Sequence, residues 1–273
     1  MQTVTRLPVG LGLLRKLALP KKLGLLEFLY GSALATREIE WVQCSNGITW
    51  KLDLRDPTHR WIVYGDYEGG IGISFAKNAL KDGGVFVDSG SNIGQWLLYL
   101  GSIPNVRALE FEPVESQRLW LEECLDRQTD WQCKTFPWAL GAKESETEIQ
   151  CDGARSTLRP DWYNTKNLHK QSIKIKRLDD ILEEEAVNHV ELWKLDVEGA
   201  EYDALLGATG YLASQRIKRL YFECHHSSYL LSKKLLFECG YRLYDLTESG
   251  LQLKTDEVIH ATQDLVALPD RDF

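Results

Sequence analysis

The chain has 273 residues, 44% of them hydrophobic, enough to bury one sizeable core. With 40 Asp and Glu against 32 Lys and Arg it carries a formal net charge of -8, which disfavours wholesale nucleic-acid binding. No uncharged apolar run approaches the ~18 residues of a membrane span, and none of the six cysteines forms a Cys-x-x-Cys pair, which excludes a zinc ribbon and a thioredoxin-type motif. Several of the cysteines, at 44, 124, 133, 151, 224 and 239, lie in apolar runs. They are expected to be buried free thiols, in keeping with a reducing cytoplasm.

Residues 1–36 are leucine-rich and basic, with Arg6, Arg15, Lys16, Lys21 and Lys22 against Glu27 alone. Arg15-Lys16 interrupts the apolar start and no cleavage site follows, so no signal peptide is expected. Leu7, Leu11 and Leu14 fall at helical spacing, and Leu25, Phe28 and Leu29 do so again beyond Pro20. Two readings stand. One packs short helices on the core or over a cleft; the other makes residues 1–30 an amphipathic element at a membrane surface.

Residues 37–56 alternate apolar and polar around Asn46-Gly47, a hairpin signal. Residues 61–74 are aromatic and glycine-rich, with Tyr64, Tyr67 and Glu68; this predicts either a lid over a ligand or an aromatic packing layer. Residues 1–80 together read as an N-terminal extension, and 81–273 as the main α/β domain.

That domain opens on Val85-Phe86-Val87, a short strand buried on both faces, after the turn Lys81-Asp82-Gly83-Gly84. Asp88-Ser89-Gly90-Ser91-Asn92-Ile93-Gly94 follows, then the apolar helical run from Trp96. A strand, a glycine-bearing bend and a helix make the nucleotide-binding corner of a doubly wound sheet. Gly90 and Gly94 would let a ligand approach the backbone, and the helix N-terminus would favour an anion. Asp88 at the strand tip would repel a pyrophosphate and attract an ammonium. A ligand with both an ammonium and a carboxylate, such as S-adenosylmethionine, suits this corner better than NAD.

Strands follow at 106–111, 132–136, 191–196, 217–222, 241–246 and 264–268, with helices at 114–127, from 199 toward Gly207, and at 230–239. This predicts a seven-stranded, mostly parallel α/β sandwich closed by an antiparallel terminal pair. Glu112 lies 22 residues past Gly90, near the ~20-residue interval at which an acid meets a ribose diol. Residues 142–180 read as an insertion with strands at 147–151 and 172–176. Between Arg155 and Arg177 it holds seven Lys or Arg against Asp161, with Trp162 and Tyr163 interleaved. Arg155, Arg159, Trp162 and Tyr163 are the substrate candidates, for an anionic or sugar acceptor; a solvated loop is the plainer reading.

Four blocks, in order, resemble the FkbM-type S-adenosylmethionine-dependent methyltransferases: 85–94, Leu109-Glu110-Phe111-Glu112-Pro113, Lys194-Leu195-Asp196-Val197-Glu198-Gly199-Ala200-Glu201 with Leu205-Leu206-Gly207, and Phe222-Glu223-Cys224-His225. Ser89 and Ser91 stand where that family usually has valine and alanine. The resemblance implies a Rossmann-like class I methyltransferase fold and methyl transfer to a hydroxyl of a sugar, glycoconjugate or natural product. It implies that Asp88, Gly90, Ser91, Asn92 and Gly94 hold the methionine end of the cofactor, that Glu112 holds the ribose hydroxyls, and that Trp138 and Ala139 flank the adenine.

Asp196, Glu198, Glu223 and His225 fall at the carboxyl ends of strands, where an open α/β sheet places its site. In one arrangement His225 is the general base beside Asp196 and Glu198. In the other, Asp196, Glu198 and Glu223 hold a divalent metal such as Mg²⁺ that polarises the acceptor hydroxyl. A non-catalytic cofactor or partner binder and a nicotinamide-dependent oxidoreductase are the competing readings. Neither the acceptor nor the oligomeric state is legible in the sequence.

Overall fold

The computed structural model describes residues 4–8, 10–17, 21–65, 70–151, 156–158 and 169–270. In chain order, strand β1 (Val4–Thr5) precedes helices α1 (Leu11–Leu14) and α2 (Lys22–Leu26). A π-helical turn (Glu27–Gly31) and α3 (Ser32–Leu34) continue α2. Strands β2 (Ile39–Gln43) and β3 (Thr49–Asp53) form the predicted antiparallel hairpin, with Gly47 at φ 88° in its turn. The sequence reading lacked β1, which adds parallel to β2.

Helix α4 (Pro57–Tyr64) starts where the Asp56 carboxylate accepts the Thr58 N–H at 2.8 Å, with Pro57 in the first turn, and stops at Gly65 in the left-handed region. Helix α5 (Ile71–Ala79) follows. Within the aromatic stretch at 61–74, Trp61 and the fully buried Tyr64 lie on α4, and Ser74 lies on α5. Tyr67 and Glu68 lie outside the described residues.

The main domain continues with β4 (Gly84–Ser89), α6 (Leu97–Leu100), β5 (Val106–Phe111), α7 (Glu115–Leu125) and β6 (Gln132–Phe136). Strands β7 (Trp138–Leu140), β8 (Ser145–Cys151) and β9 (His169–Lys176) make a separate small sheet in the order β7-β9-β8, which contains both strands expected in the insertion. Next come α8 (Leu178–Glu184), β10 (Leu192–Leu195), α9 (Glu201–Leu206), α10 (Thr209–Ala213), β11 (Leu220–Cys224) and α11 (Tyr229–Glu238). The chain closes with β12 (Tyr241–Thr247), β13 (Gly250–Leu253) and β14 (Gln263–Pro269).

The central sheet runs β13-β12-β14-β11-β10-β4-β5-β6. The five strands from β11 to β6 are parallel, and β14 inserts antiparallel between β11 and β12. Chain order reverses between β4 and β10, which makes their carboxyl ends the switch point of a doubly wound, Rossmann-like sheet. The eighth strand, β13, pairs only with β12 and has all four residues exposed, so no apolar alternation announced it.

Alternate residues of the parallel strands feed two cores. Phe86, Ala108 and Leu192 face one, together with Leu11, Leu26, Leu34 and Trp50 from the N-terminal elements. Val87, Leu109, Trp193 and Phe222 face the other, under α8 to α11. Helices α1 to α3 and the β2–β3 hairpin thus cover one face of the sheet. All six cysteines are free, with Cys44, Cys124 and Cys224 buried. Among the described residues, no helix is long and apolar enough to cross a membrane.

Candidate active site

Strand register sets a charged row across the sheet. Lys194 on β10 lies opposite Asp88 on β4, and Asp88 opposite Glu110 on β5. All three are buried. The Lys194 Nζ stands 3.2 Å from Asp88 Oδ1 and 3.5 Å from Asp196 Oδ2, and it donates to the Gly90 carbonyl at 3.1 Å. Burial alone would lower the pKa of Lys194, but the Asp88 and Asp196 carboxylates raise it and keep the amine charged. Burial raises Asp88 against the pull of Lys194. Burial, and then the charge of Asp88, push Glu110 well above the carboxylate range against the pull of Lys194.

Above this row two loops meet. In the loop after β4, Gly90 has φ 76° and a Cβ there would stand 1.9 Å from the Asp196 carbonyl. Gly94 has φ 79°, and its Cβ would stand 2.6 Å from Leu121 Cδ1 and 3.0 Å from the Trp50 ring. The two glycines were expected to make room for a ligand. They are instead required by the close approach of the protein to itself, although Gly90 also lines the cavity described below. The helix expected from Trp96 begins at Leu97, after turns over residues 92–96 that contain Gly94 at positive φ.

The loop after β10 is fastened by Glu201. Its Oε1 accepts the N–H groups of Val197 and Gly199, each at 3.0 Å, from a fully buried position. Glu198 sits at φ 52°, and its carbonyl accepts the Thr157 hydroxyl at 2.7 Å. Trp50 of the N-terminal hairpin supports the first loop, donating from its indole to the Ile93 carbonyl at 2.8 Å.

The loops enclose a cavity of about 220 Å³. Its lining combines polar groups, Gly90, Asn92, Glu112, Lys194 and Asp196, with apolar ones, Phe111, Trp138, Ala139, Ile149 and Leu158. The Asn92 side-chain oxygen is buried there without a hydrogen-bond partner among the described residues. Glu112 accepts the Asn92 N–H at 2.9 Å on one oxygen and the Val114 N–H at 2.8 Å on the other. Each oxygen keeps a lone pair for a further donor. Burial pushes its pKa up to about 7 against those two bonds.

A second cavity of about 340 Å³ adjoins the first at Trp96, Lys194 and Asp196, and is completed by Gly70 to Ile73, Tyr221 and Asp264. The Trp96 and Tyr221 rings lie 4.8 Å apart, and the Tyr221 hydroxyl donates to Asp264 Oδ2 at 2.7 Å. Burial raises the Asp264 carboxyl. Behind it, burial and then the charge of Asp196 push Glu223 up to about 8.

Seven of the sequence candidates thus line the first cavity, namely Gly90, Asn92, Glu112, Trp138, Ala139, Asp196 and Glu198. Asp88 and Ser91 lie beneath its floor, and the cation facing Asp88 is Lys194. Gly94 packs behind the loop. Ser89 accepts the Trp193 indole N–H at 2.8 Å. His225 is half-buried on the turn after β11, lines neither cavity, and has its Nδ1 2.7 Å from the Ser227 hydroxyl. Arg155, Arg159, Trp162 and Tyr163 lie outside the described residues. Among the described residues no three His, Cys, Asp or Glu stand close enough to hold a metal ion, so Asp196, Glu198 and Glu223 do not assemble into the ligand set considered above. Sequence reasoning missed Tyr221, Asp264, Trp50 and the bracing role of Glu201. Tyr221 and Asp264 carried no motif, because their meeting depends on β14 returning beside β11.

Comparison with known proteins adds the family. The profile of the methyltransferase FkbM domain matches residues 88–243, more than half of the chain. No curated protein matches in sequence. Solved structures that resemble the chain include a precorrin-6y C5,15-methyltransferase from Geobacter metallireducens (12% identity, 72% of this chain and 86% of that one, TM-score 0.41). An rRNA methylase from Streptococcus thermophilus is similar at 11% identity over 74% and 95% of the two chains (TM-score 0.42). A magnesium protoporphyrin IX methyltransferase from Synechocystis with bound SAM is similar at 12% identity over 78% and 83% (TM-score 0.42).

Proposed function

The chain belongs to the methyltransferase FkbM domain family, and on that premise we propose that it transfers a methyl group from S-adenosylmethionine to a hydroxyl oxygen of a sugar, glycoconjugate or other natural product. One observation carries the reading: two cavities of different chemistry meet at Trp96, Lys194 and Asp196. The first has groups for each part of the cofactor. Asn92, with its unpartnered oxygen, and Asp196 suit the amino-acid moiety; Glu112 offers lone pairs to a ribose; and Phe111, Trp138 and Ile149 offer apolar surface to adenine. The second cavity takes the acceptor. Its paired rings suit the apolar face of a sugar, and Asp264 and Tyr221 suit its hydroxyls.

S-adenosylmethionine supplies a methyl carbon on a sulfonium that is already a good leaving group. The protein therefore has mainly to align the reactants, a contribution of ~7–11 kcal/mol in favourable cases. Trp96 and Tyr221 position the acceptor. Asp196, at the junction, accepts the proton of the attacking hydroxyl, with Lys194 holding its carboxylate in place. His225 would have to release Ser227 and turn toward the cavities to take that role.

Calorimetric titration with S-adenosylhomocysteine tests the cofactor assignment. Wild type should bind with a Kd of about 1 µM, and Gly90→Ala should weaken binding at least about tenfold, since a Cβ there displaces the Asp196 loop. No binding by folded wild type would overturn the assignment and favour a partner-binding role. With labelled methyl donor and a mixture of methyl glycosides, Asp196→Asn should cut kcat by about 10²–10⁴-fold while His225→Ala retains it. The reverse result would make His225 the base.

A further inference from the structure

The N-terminal helices show a face that the core does not use. Along the run of α2, the π-helical turn and α3, Leu26, Gly31 and Leu34 are buried, while Leu25, Phe28 and Leu29 are exposed at helical spacing. Phe28 is 84% exposed, more than any other large apolar side chain described. In α1 and the turn after it, Leu11 and Arg15 point inward while Leu13, at 69% exposure, and Leu17 point out. Five of the exposed large hydrophobic residues thus fall between positions 13 and 29. Such a concentration marks an interaction surface rather than scattered exposure.

The fully exposed charges on residues 4–36 have one sign. Arg6, Lys16 and Lys21 are exposed. The sole acid between residues 4 and 36 is Glu27, and its half-exposed carboxylate is already paired with a cation. Its carboxylate takes the Arg60 guanidinium at 2.7 and 3.1 Å and the Tyr64 hydroxyl at 2.9 Å. This local positive charge belongs to a chain of net charge -8. The platform is also fastened. The Arg15 guanidinium donates to the carbonyls of Gln43, Cys44 and Val63, and Lys22 Nζ reaches the carbonyls of Arg15 and Gly65. The ridge is therefore held outward by the fold.

We propose that this ridge docks the protein onto an anionic lipid surface, with Leu13, Leu17, Leu25, Phe28 and Leu29 entering the headgroup boundary and Lys16 and Lys21 meeting the lipid charge. An apolar stripe flanked by lysines is the arrangement that interfacial helices use, and charge complementarity selects anionic lipid over a neutral one. The helices are far too short to span, so the contact is peripheral and reversible.

The test is co-sedimentation of the full chain with vesicles of phosphatidylcholine containing about 30% phosphatidylserine, beside pure phosphatidylcholine. Wild type should bind the anionic vesicles and lose most of that binding as salt rises toward about 0.5 M. Leu25→Ser/Phe28→Ser should weaken binding at least about tenfold, and so should Lys16→Glu/Lys21→Glu. Both variants should keep wild-type affinity for S-adenosylhomocysteine, which separates this outcome from a failure of the cofactor site or of folding. Absence of vesicle binding, equal binding by the variants, or equal binding to neutral vesicles would overturn the proposal. So would a concentration-dependent dimer in light scattering that Leu25→Ser/Phe28→Ser abolishes, since a second copy would then be the occupant.

Discussion

Two regions of this molecule place their side chains against the general rule, in opposite senses. Beneath the cavity the central sheet buries Asp88, Glu110 and Lys194 in adjacent register. On the N-terminal helices, Leu13, Leu25, Phe28 and Leu29 stand in solvent. The first departure is internally compensated, since the lysine meets Asp88, Asp196 and the Gly90 carbonyl within one small volume. The second has no compensation within the protein. Buried charge that is paired organises a site, and exposed apolar surface that is unpaired calls for a partner.

The largest effect should come from breaking the compensated side of that comparison. Lys194→Met leaves Asp88 buried without its cation, which should cost about 3–5 kcal/mol of stability in urea unfolding at neutral pH. Adding Asp88→Asn should recover part of that loss. A loss under about 1 kcal/mol in the single variant would show that the row is hydrated rather than sealed.

A smaller effect should come through pH. Glu223 is raised from its ordinary value to about 8, chiefly by burial. Between about 4.5 and about 8 the folded state then binds more protons than the unfolded one, so stability is full at the acidic end and declines as pH rises through this window. Glu223→Gln should flatten that decline in a series of Tm measurements, and an unchanged slope would place the carboxyl in contact with solvent. The smallest effect is expected for Glu110→Gln. Burial and the Asp88 charge raise this carboxyl well above its ordinary range, which favours its protonated form, and the amide keeps its shape. Stability should change by no more than about 1 kcal/mol. A loss above about 3 kcal/mol would mean that Glu110 is ionised and paired.

Much of the architecture was legible because it rests on local pattern. The apolar runs at 85–87, 106–111 and 192–195 are strands buried on both faces, the Asn46-Gly47 hairpin formed where the alternation put it, and the corner after β4 lies at the switch point. β13 was not legible because its residues face solvent and carry no period. The cofactor side of the site was largely legible too. Asn92, Glu112, Trp138 and Asp196 line one cavity because each ends a strand or follows one, and strand ends converge in this topology.

The sequence by itself determined the class of sheet, its winding and the set of loops that build the site, since hydrophobic period and glycine position act within a few residues. Tertiary structure alone decided which neighbour each residue serves. Gly90 makes room for the Asp196 carbonyl rather than for a ligand alone, and Asp88 faces Lys194. Glu201 braces a loop from inside, and Tyr221 meets Asp264 across a strand returned from 43 residues away. The physical reason is range: pairing of charges and contacts of a few ångströms depend on strand register and on which strands lie side by side, and no local stretch of sequence encodes either.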